Sequence, residues 1–408
     1  MSILPASAEP SVALARTLRV DAALAAVRKA LGERTEAVAL HEPEFAGREW
    51  DYVKDCIDTG WVSSAGAYVD RFEEALALFT GAAHVTATVN GTAALQLCLH
   101  LAGVRPGDEV LTPALSFVAT ANAISHCGAT PHFVDSEALS LGVDAVALER
   151  HLRSVAELRD GVCVHRHGGS TIRALVVMHA FGHPADLDAL AALAARWQLV
   201  LVEDAAESLG SYYKGRHTGR HGRLAALSFN GNKIITTGGG GAVLTDDAAL
   251  GRRAKHLSTT ARVADGWNFV HDEVGWNYRL PNLNAALGCA QMELLPRFLE
   301  EKRRLAARYR DAFAVLPEVR FVDEPAGTRS NFWLNAILLS EADAPLRDAL
   351  LNRLNAAGLM SRPVWRLMHR LPMYAAAPRA LLPAAEAIEA RLVNLPSSPK
   401  LGRTAPAA

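Results

Sequence analysis

Two residues whose types could work together stand just past apolar, strand-like runs. Asp204 follows LVLVE, and Lys233 follows AALSF after the short turn Asn230-Gly231-Asn232. A carboxylate at the end of a buried strand is costly unless an opposite charge meets it. A lysine in such a place can give up its proton and act as an amine nucleophile. A glycine run, Gly238–Gly241, comes after the lysine. Upstream, Asn90-Gly91-Thr92-Ala93-Ala94 opens the helical stretch LQLCLHL. The start of a helix offers unpaired backbone N–H groups to a phosphate. One fixed anion, one deprotonatable amine and one phosphate cradle are the parts that pyridoxal 5'-phosphate (PLP) chemistry uses. The lysine forms a Schiff base, and the carboxylate keeps the pyridine nitrogen protonated as an electron sink. Each part alone reads equally well as a cap, a solvated cation or a tight helix start. Their joint occurrence in this order carries the inference.

The elements that must position these residues alternate along the chain. Strands are expected at Glu109–Pro113, Thr130–Asp135, Ala174–Met178, Leu199–Glu203, Ala225–Phe229 and Ala242–Thr245. Helices are expected near Ser116–His126, stopped by Gly128, and at Leu187–Trp197. Continuous apolar strands separated by helices predict an α/β fold with a mostly parallel sheet covered on both faces. In such sheets ligands bind outside the carboxyl ends of the strands, where Asp204 and Lys233 fall. A long helix from Asn282 to about Phe313 then leads into a region of mixed short elements. The expected division is an N-terminal extension (1–36) with a short helix near Val20–Leu31, a large domain (37–300) and a smaller α+β domain (301–408). The Pro- and Ser-containing start is expected to be mobile and the whole extension peripheral.

Composition narrows the partners. Lys plus Arg number 42 and Asp plus Glu 43, for a net charge of −1 over 408 residues. Nothing there neutralises a nucleic acid or holds an anionic membrane, so a small-molecule partner is expected. With 50% hydrophobic residues the chain is no disordered segment. Its five cysteines are scattered, odd in number and never spaced C-x-x-C, which fits a reducing cytoplasm. The N-terminus lacks the order of a signal peptide, and no uncharged apolar run reaches the ~20 residues of a membrane span. A soluble cytoplasmic protein is expected.

Long motifs then resemble one family. HEPEFAGREWDYVKDCIDTGWVSSAGAYVDRFEEAL, EDAAESLGSYYKGRHTG, LSFNGNKIITTGGGGAVLTD and GWNYRLPNLNAALGCAQ are similar, in that order, to blocks of the DegT/DnrJ/StrS family of PLP-dependent sugar aminotransferases. The resemblance runs from about Leu40 to Leu401. It implies an aspartate-aminotransferase-type fold (fold type I) and a homodimer with shared active sites. It makes Lys233 the Schiff-base lysine and Asp204 the pyridinium partner, the two catalytic residues. Glu207 takes the place of the residue at the cofactor's phenolic oxygen; many members have Gln or His there, and a Glu would need a shared proton. Ser228 and the loop Gly91, Thr92 and Ala93 match the phosphate site, and Phe117 the aromatic residue on the cofactor ring. Asn277 matches the asparagine that reaches the phosphate from the neighbouring subunit.

Among subgroups, GWVSSAGAYVDRFEE, PALSFVATANAISHCGATPHFVD and SRPVWRLMHRLPMY are most similar to the legionaminic-acid-pathway aminotransferases. The implied substrate is a nucleotide-linked 4-keto-6-deoxy-N-acetylhexosamine, with L-glutamate as amino donor. Arg362, Trp365 and His369 are candidates to face that sugar nucleotide. A 3-keto sugar nucleotide, a keto-octulosonate, or a non-catalytic regulator of the same fold are the alternatives. Sugar dehydratases of the family replace the lysine, so Lys233 argues against one. A nicotinamide dehydrogenase is rejected because no G-x-G-x-x-G follows the first strand. No metal site is expected: Gly182 and Pro184 break any helix that would align His179 with His183. His165 and His167 read as exposed, in an excursion near 160–171 without an acidic neighbour.

Overall fold

The computed structural model describes residues 10–32, 34 and 36–403, with side chains from 19 onward; the first nine residues, part of the stretch expected to be mobile, lie outside the described residues. Seven strands form the central sheet: β1 His84–Thr88, β2 Glu109–Pro113, β3 Thr130–Val134, β4 Ile172–Met178, β5 Val200–Asp204, β6 Leu224–Ser228 and β7 Gly241–Thr245. Their spatial order is β1-β7-β6-β5-β4-β2-β3. The run from β6 to β3 is parallel, and β7 lies antiparallel to both its neighbours. Asp204 pairs with Met178 on one side and Ala226 on the other. The carboxyl ends of β4, β5 and β6 therefore finish side by side.

Alternate residues of the central strands serve opposite faces, as the strand period of two requires. Val176, Val202 and Ala226 pack with Leu97, Ile124 and Leu257 from the helices Gly91–Leu101, Val118–His126 and Ala248–Ser258. Leu175, Val177 and Leu201 pack with Leu152, Leu190 and Leu193 from Ala145–Val155 and Leu187–Arg196. Both faces are covered, which is why these strands read as continuous apolar runs.

A second, antiparallel sheet runs Val319–Phe321, Asn335–Leu339, Leu392–Leu395, Arg362–Pro363 in spatial order. The helix Asn282–Phe313 spans 32 residues and joins the two regions. Its first turns pack against Glu49–Asp58 and Ala67–Thr80, and its last turns against the N-terminal helix and the second sheet.

The N-terminal helix runs Pro10–Leu31, longer than its sequence suggested, and is not peripheral. Ala23, Leu24, Val27, Ala30 and Leu31 are buried with Leu305, Tyr309, Phe313 and Leu354. Asp21 meets Arg353 at 3.0 Å. The alanine spacing lets this helix lie close to its long neighbour, a packing cue that composition alone hides.

The excursion before β4 is a hairpin, Ala156–Arg159 with Val162–His165, turned through Asp160 and Gly161 at positive φ. His165 is half-buried there, not exposed, its ring 6.2 Å from that of His132. His132 Nδ1 lies 2.7 Å from Glu109 Oε2, so an acidic group is near after all. Among the described residues no helix is long and apolar enough to cross a membrane, and all five cysteines are free.

Candidate active site

The site assembles where β4, β5 and β6 end. Asp204 closes β5 and is buried. Its Oδ2 accepts a 2.7 Å hydrogen bond from Thr120 Oγ1, and its Oδ1 accepts one from the Ala206 N–H at 3.2 Å. Among the described residues no cation pairs with it, so a buried carboxylate faces the site with its charge uncompensated. Thr120 carries no recognisable motif. It was legible only as one turn beyond Phe117 on the helix Val118–His126.

Lys233 stands in the loop after β6, 12% exposed at the side chain, with Nζ 3.2 Å from Glu207 Oε1. Glu207 is 1% exposed at the side chain, and its Oε2 accepts the Phe181 N–H at 2.9 Å. Phe181 aims that N–H from a left-handed conformation, φ 57°, an arrangement costing of order 1–3 kcal/mol for a non-glycine residue. Asn331 ties the same loop from the second region, donating from Nδ2 to the carbonyls of Glu207 and Leu209 at 2.9 Å.

Burial pushes the Glu207 carboxyl up to about 7, against the pull of Lys233. The folded protein thus holds a proton that an unfolded carboxyl, near 4.5, has released. Stability from this group is complete below about pH 4.5 and is lost as pH rises through 7. The loss is on the order of 3 kcal/mol. Denaturant midpoints of the cofactor-free protein at pH 5 and 7.5 should show the decline in wild type and flatten in Glu207→Gln. Parallel profiles for the two would contradict it.

The candidate phosphate cradle is the start of Gly91–Leu101. Asn90 caps this helix, its Oδ1 accepting from the Ala93 N–H at 2.8 Å. That bond takes up the Ala93 N–H. The N–H groups of Gly91 and Thr92 have no acceptor among the described residues and remain free donors. A Cβ on Gly91 would stand 2.7 Å from Ser228 Cβ and 3.0 Å from Ser228 Oγ. Glycine at 91 therefore lets the β6 serine close against the helix start.

A run of aromatic rings forms one wall. Phe117 is 49% exposed and meets Trp365 edge-on at 6.4 Å. Trp365 lies 4.9 Å from Phe181, and Phe181 6.5 Å from Trp333. Trp333 in turn places its ring 4.1 Å from Lys233 Nζ. Trp333 comes from far along the chain, and only tertiary packing reveals it.

The remaining sequence candidates lie further out. Arg362 is exposed on its two-residue strand. His369 turns toward Glu386, 3.7 Å away. Asn277 is exposed, its Oδ1 accepting from Arg279 Nε at 3.0 Å. His179 and His183 are fully buried, His179 Nε2 standing 3.0 Å from Glu203 Oε2. They form part of the scaffold behind the site.

The residues present fit the cofactor: an uncompensated buried carboxylate and a lysine amine stand past the carboxyl ends of β5 and β6, and free donors stand beside the serine that ends β6. Residues 43–406 match the sequence model of the DegT/DnrJ/EryC1/StrS aminotransferase family. A GDP-perosamine synthase from Vibrio cholerae is 36% identical over 365 residues, 89% of this chain and 95% of that protein. A DegT DnrJ EryC1 StrS aminotransferase from Brucella abortus superposes with a TM-score of 0.77 at 29% identity, covering 86% of this chain and 90% of the other. DesI, solved in the presence of its TDP-sugar product, gives 0.78 at 30% identity over 89% of this chain and 88% of its own.

Proposed function

The chain belongs to the DegT/DnrJ/EryC1/StrS aminotransferase family, and from that premise we propose which amino group it moves and onto what. The reading is transfer from L-glutamate to C4 of a nucleotide-linked 4-keto-6-deoxy-N-acetylhexosamine, for a bacterial surface sugar of the legionaminic-acid or bacillosamine type. The family is PLP-dependent, and the chain is accordingly a PLP-dependent sugar aminotransferase of fold type I. The observation that carries the reading is the convergence of Asp204, Lys233 and Glu207 at the carboxyl ends of β5 and β6. The finer substrate class rests on the N-terminal and C-terminal motifs of the sequence.

When bound, PLP supplies an electron sink that lets a proton leave the carbon bearing nitrogen. In the proposed mechanism Ser228 Oγ and the N–H groups of Gly91 and Thr92 hold its phosphate, with Ala93 fixing the helix start through its cap. Phe117 covers the ring. Asp204 keeps the pyridine nitrogen protonated, oriented by Thr120. Lys233 Nζ would anchor the cofactor, and its amine, when free, would serve as the base and acid that moves the proton at the carbon bearing nitrogen. Glu207 shares a proton with the phenolic oxygen. Trp365 lines the substrate side with Phe117, and Arg362 and His369 serve the nucleotide.

The assembly is proposed as a homodimer in which a second copy brings its Asn277 to the phosphate. The exposed apolar groups Phe45, Trp50, Trp61, Trp267, Phe269 and Val274 support an interface. The division into a large domain (37–300) and a smaller one (301–408) is proposed with it, the boundary falling inside the long helix.

The similarity to a GDP-perosamine synthase favours one rival, a GDP-linked substrate leading to GDP-perosamine. The visible absorbance of the PLP-loaded protein tests both. L-glutamate alone should bleach the cofactor band, and a UDP-linked 4-keto-6-deoxy-N-acetylhexosamine should restore it. Restoration only by a GDP-linked 4-keto-6-deoxyhexose would establish the rival. A band unmoved by glutamate would remove the proposed donor.

A further inference from the structure

Beyond the groups given roles above, the His41 side chain beside the site has no hydrogen-bond partner among the described residues. His41 follows Leu40, whose carbonyl accepts from the Ser397 N–H at 2.7 Å. That bond fixes the segment entering the large domain against the end of the second sheet. The His41 ring lies 6.4 Å from Trp333, the same indole that covers Lys233 Nζ at 4.1 Å. His41 thus continues the aromatic wall at its lysine end. Both of its ring nitrogens are buried, and neither has a hydrogen-bond partner among the described residues. A buried polar atom left in that state costs free energy that a bound ligand can recover.

The surroundings choose the ligand's chemistry. Burial above all, with Lys302 and Lys233 nearby, holds the His41 imidazole neutral, and burial lowers the Lys302 amine as well. Lys302 Nζ is itself committed to the carbonyls of Trp333 and Ser397. A neutral imidazole offers one N–H donor and one lone pair. It suits a hydroxyl or an amide, whereas the carboxylates of glutamate call for a cation.

We propose that His41 is a specificity-determining contact for the keto sugar, one ring nitrogen hydrogen-bonding a neutral polar substituent of the hexose, a hydroxyl or an acylamino group. The inference rests on the sugar-aminotransferase reading above and adds a residue to it. A site built to hydrogen-bond a substituent discriminates against substrates lacking it, because its own polar atoms are then left unpaired.

The test separates the two halves of the reaction in PLP-loaded wild type, His41→Phe and His41→Asn. Retention of the cofactor band confirms that each variant is folded around its cofactor. His41→Phe should raise the keto-sugar concentration needed for half-maximal restoration of the band about three- to tenfold, the loss of one neutral hydrogen bond. Bleaching by L-glutamate should stay within about twofold of wild type, since no donor contact is removed. His41→Asn, which keeps a donor and an acceptor, should recover part of the loss. Variants that leave the sugar half unchanged, or slow both halves alike, would overturn the inference while leaving the enzyme's function standing. A wild-type protein that bleaches with glutamate yet accepts no nucleotide-linked keto sugar would overturn the functional reading, and this contact with it.

Discussion

Asp204→Ala is expected to abolish turnover and to weaken retention of PLP by about 10²–10⁴-fold, the equivalent of removing one partner of a buried charged pair. Asp204 is buried, held by Thr120 Oγ1 and the Ala206 N–H, with no cation beside it among the described residues. A protonated pyridine nitrogen is the group that would compensate it. Asp204→Asn sharpens the test, because the amide keeps the size and can still accept from Thr120. It loses the negative charge and one of the two acceptor oxygens, so it cannot accept from both Thr120 and the Ala206 N–H. Asn should therefore retain more cofactor than Ala yet remain nearly inactive. Cofactor titration with single-turnover kinetics measures both quantities. Wild-type turnover in either variant would remove Asp204 from its role.

Lys233→Ala should lower turnover by at least about 10³-fold, combining loss of the anchoring amine with loss of the proton carrier. The visible band of the bound cofactor should shift or vanish in the same variant. Lys233→Arg separates charge from chemistry. A guanidinium still pairs with Glu207 Oε1, now 3.2 Å from the lysine amine, but it cannot be deprotonated at working pH. Arg should therefore be as inactive as Ala while preserving the protein's stability better. More than a tenth of wild-type turnover in Lys233→Arg would sink the assignment.

Much of this arrangement was legible beforehand, and for a physical reason. Strands β2 to β7 are largely buried, so most read as mainly apolar runs, and their ends were located to within two residues. The long helix was found at its observed limits, Asn282 and Phe313, although Pro296 interrupts its hydrogen bonding. Strand β1, HVTAT, escaped notice. It alternates polar and apolar residues at the sheet edge, and its partner β7 is remote in sequence.

The site divided along the same line. Lys233, Asp204, Ser228 and Gly91 sit at strand and helix ends, where local sequence fixes position. Thr120, Phe181 and Trp333 act through contacts with distant elements, so no spacing announced them. Ala93 shows a finer limit. Its place at the helix start was legible, but the capture of its N–H by Asn90 depends on a side-chain conformation. The roles proposed for Asn277 and the exposed aromatic groups involve a second copy, which a single chain does not display.

The helix Asn282–Phe313 has a consequence for how the molecule comes apart. It is one continuous rod whose two ends belong to different hydrophobic cores, burying Ala286, Cys289 and Leu295 in the first and Leu305, Tyr309 and Phe313 in the second. Fraying it from either end strips a wall from the core at that end and destabilises the turns that support the other. The N-terminal helix, which precedes the residues matched to the family, reinforces the far end of the rod. Melting of the two regions is thereby linked into a shared transition, and a chain cut near residue 300 would leave each fragment with half of its own supporting beam.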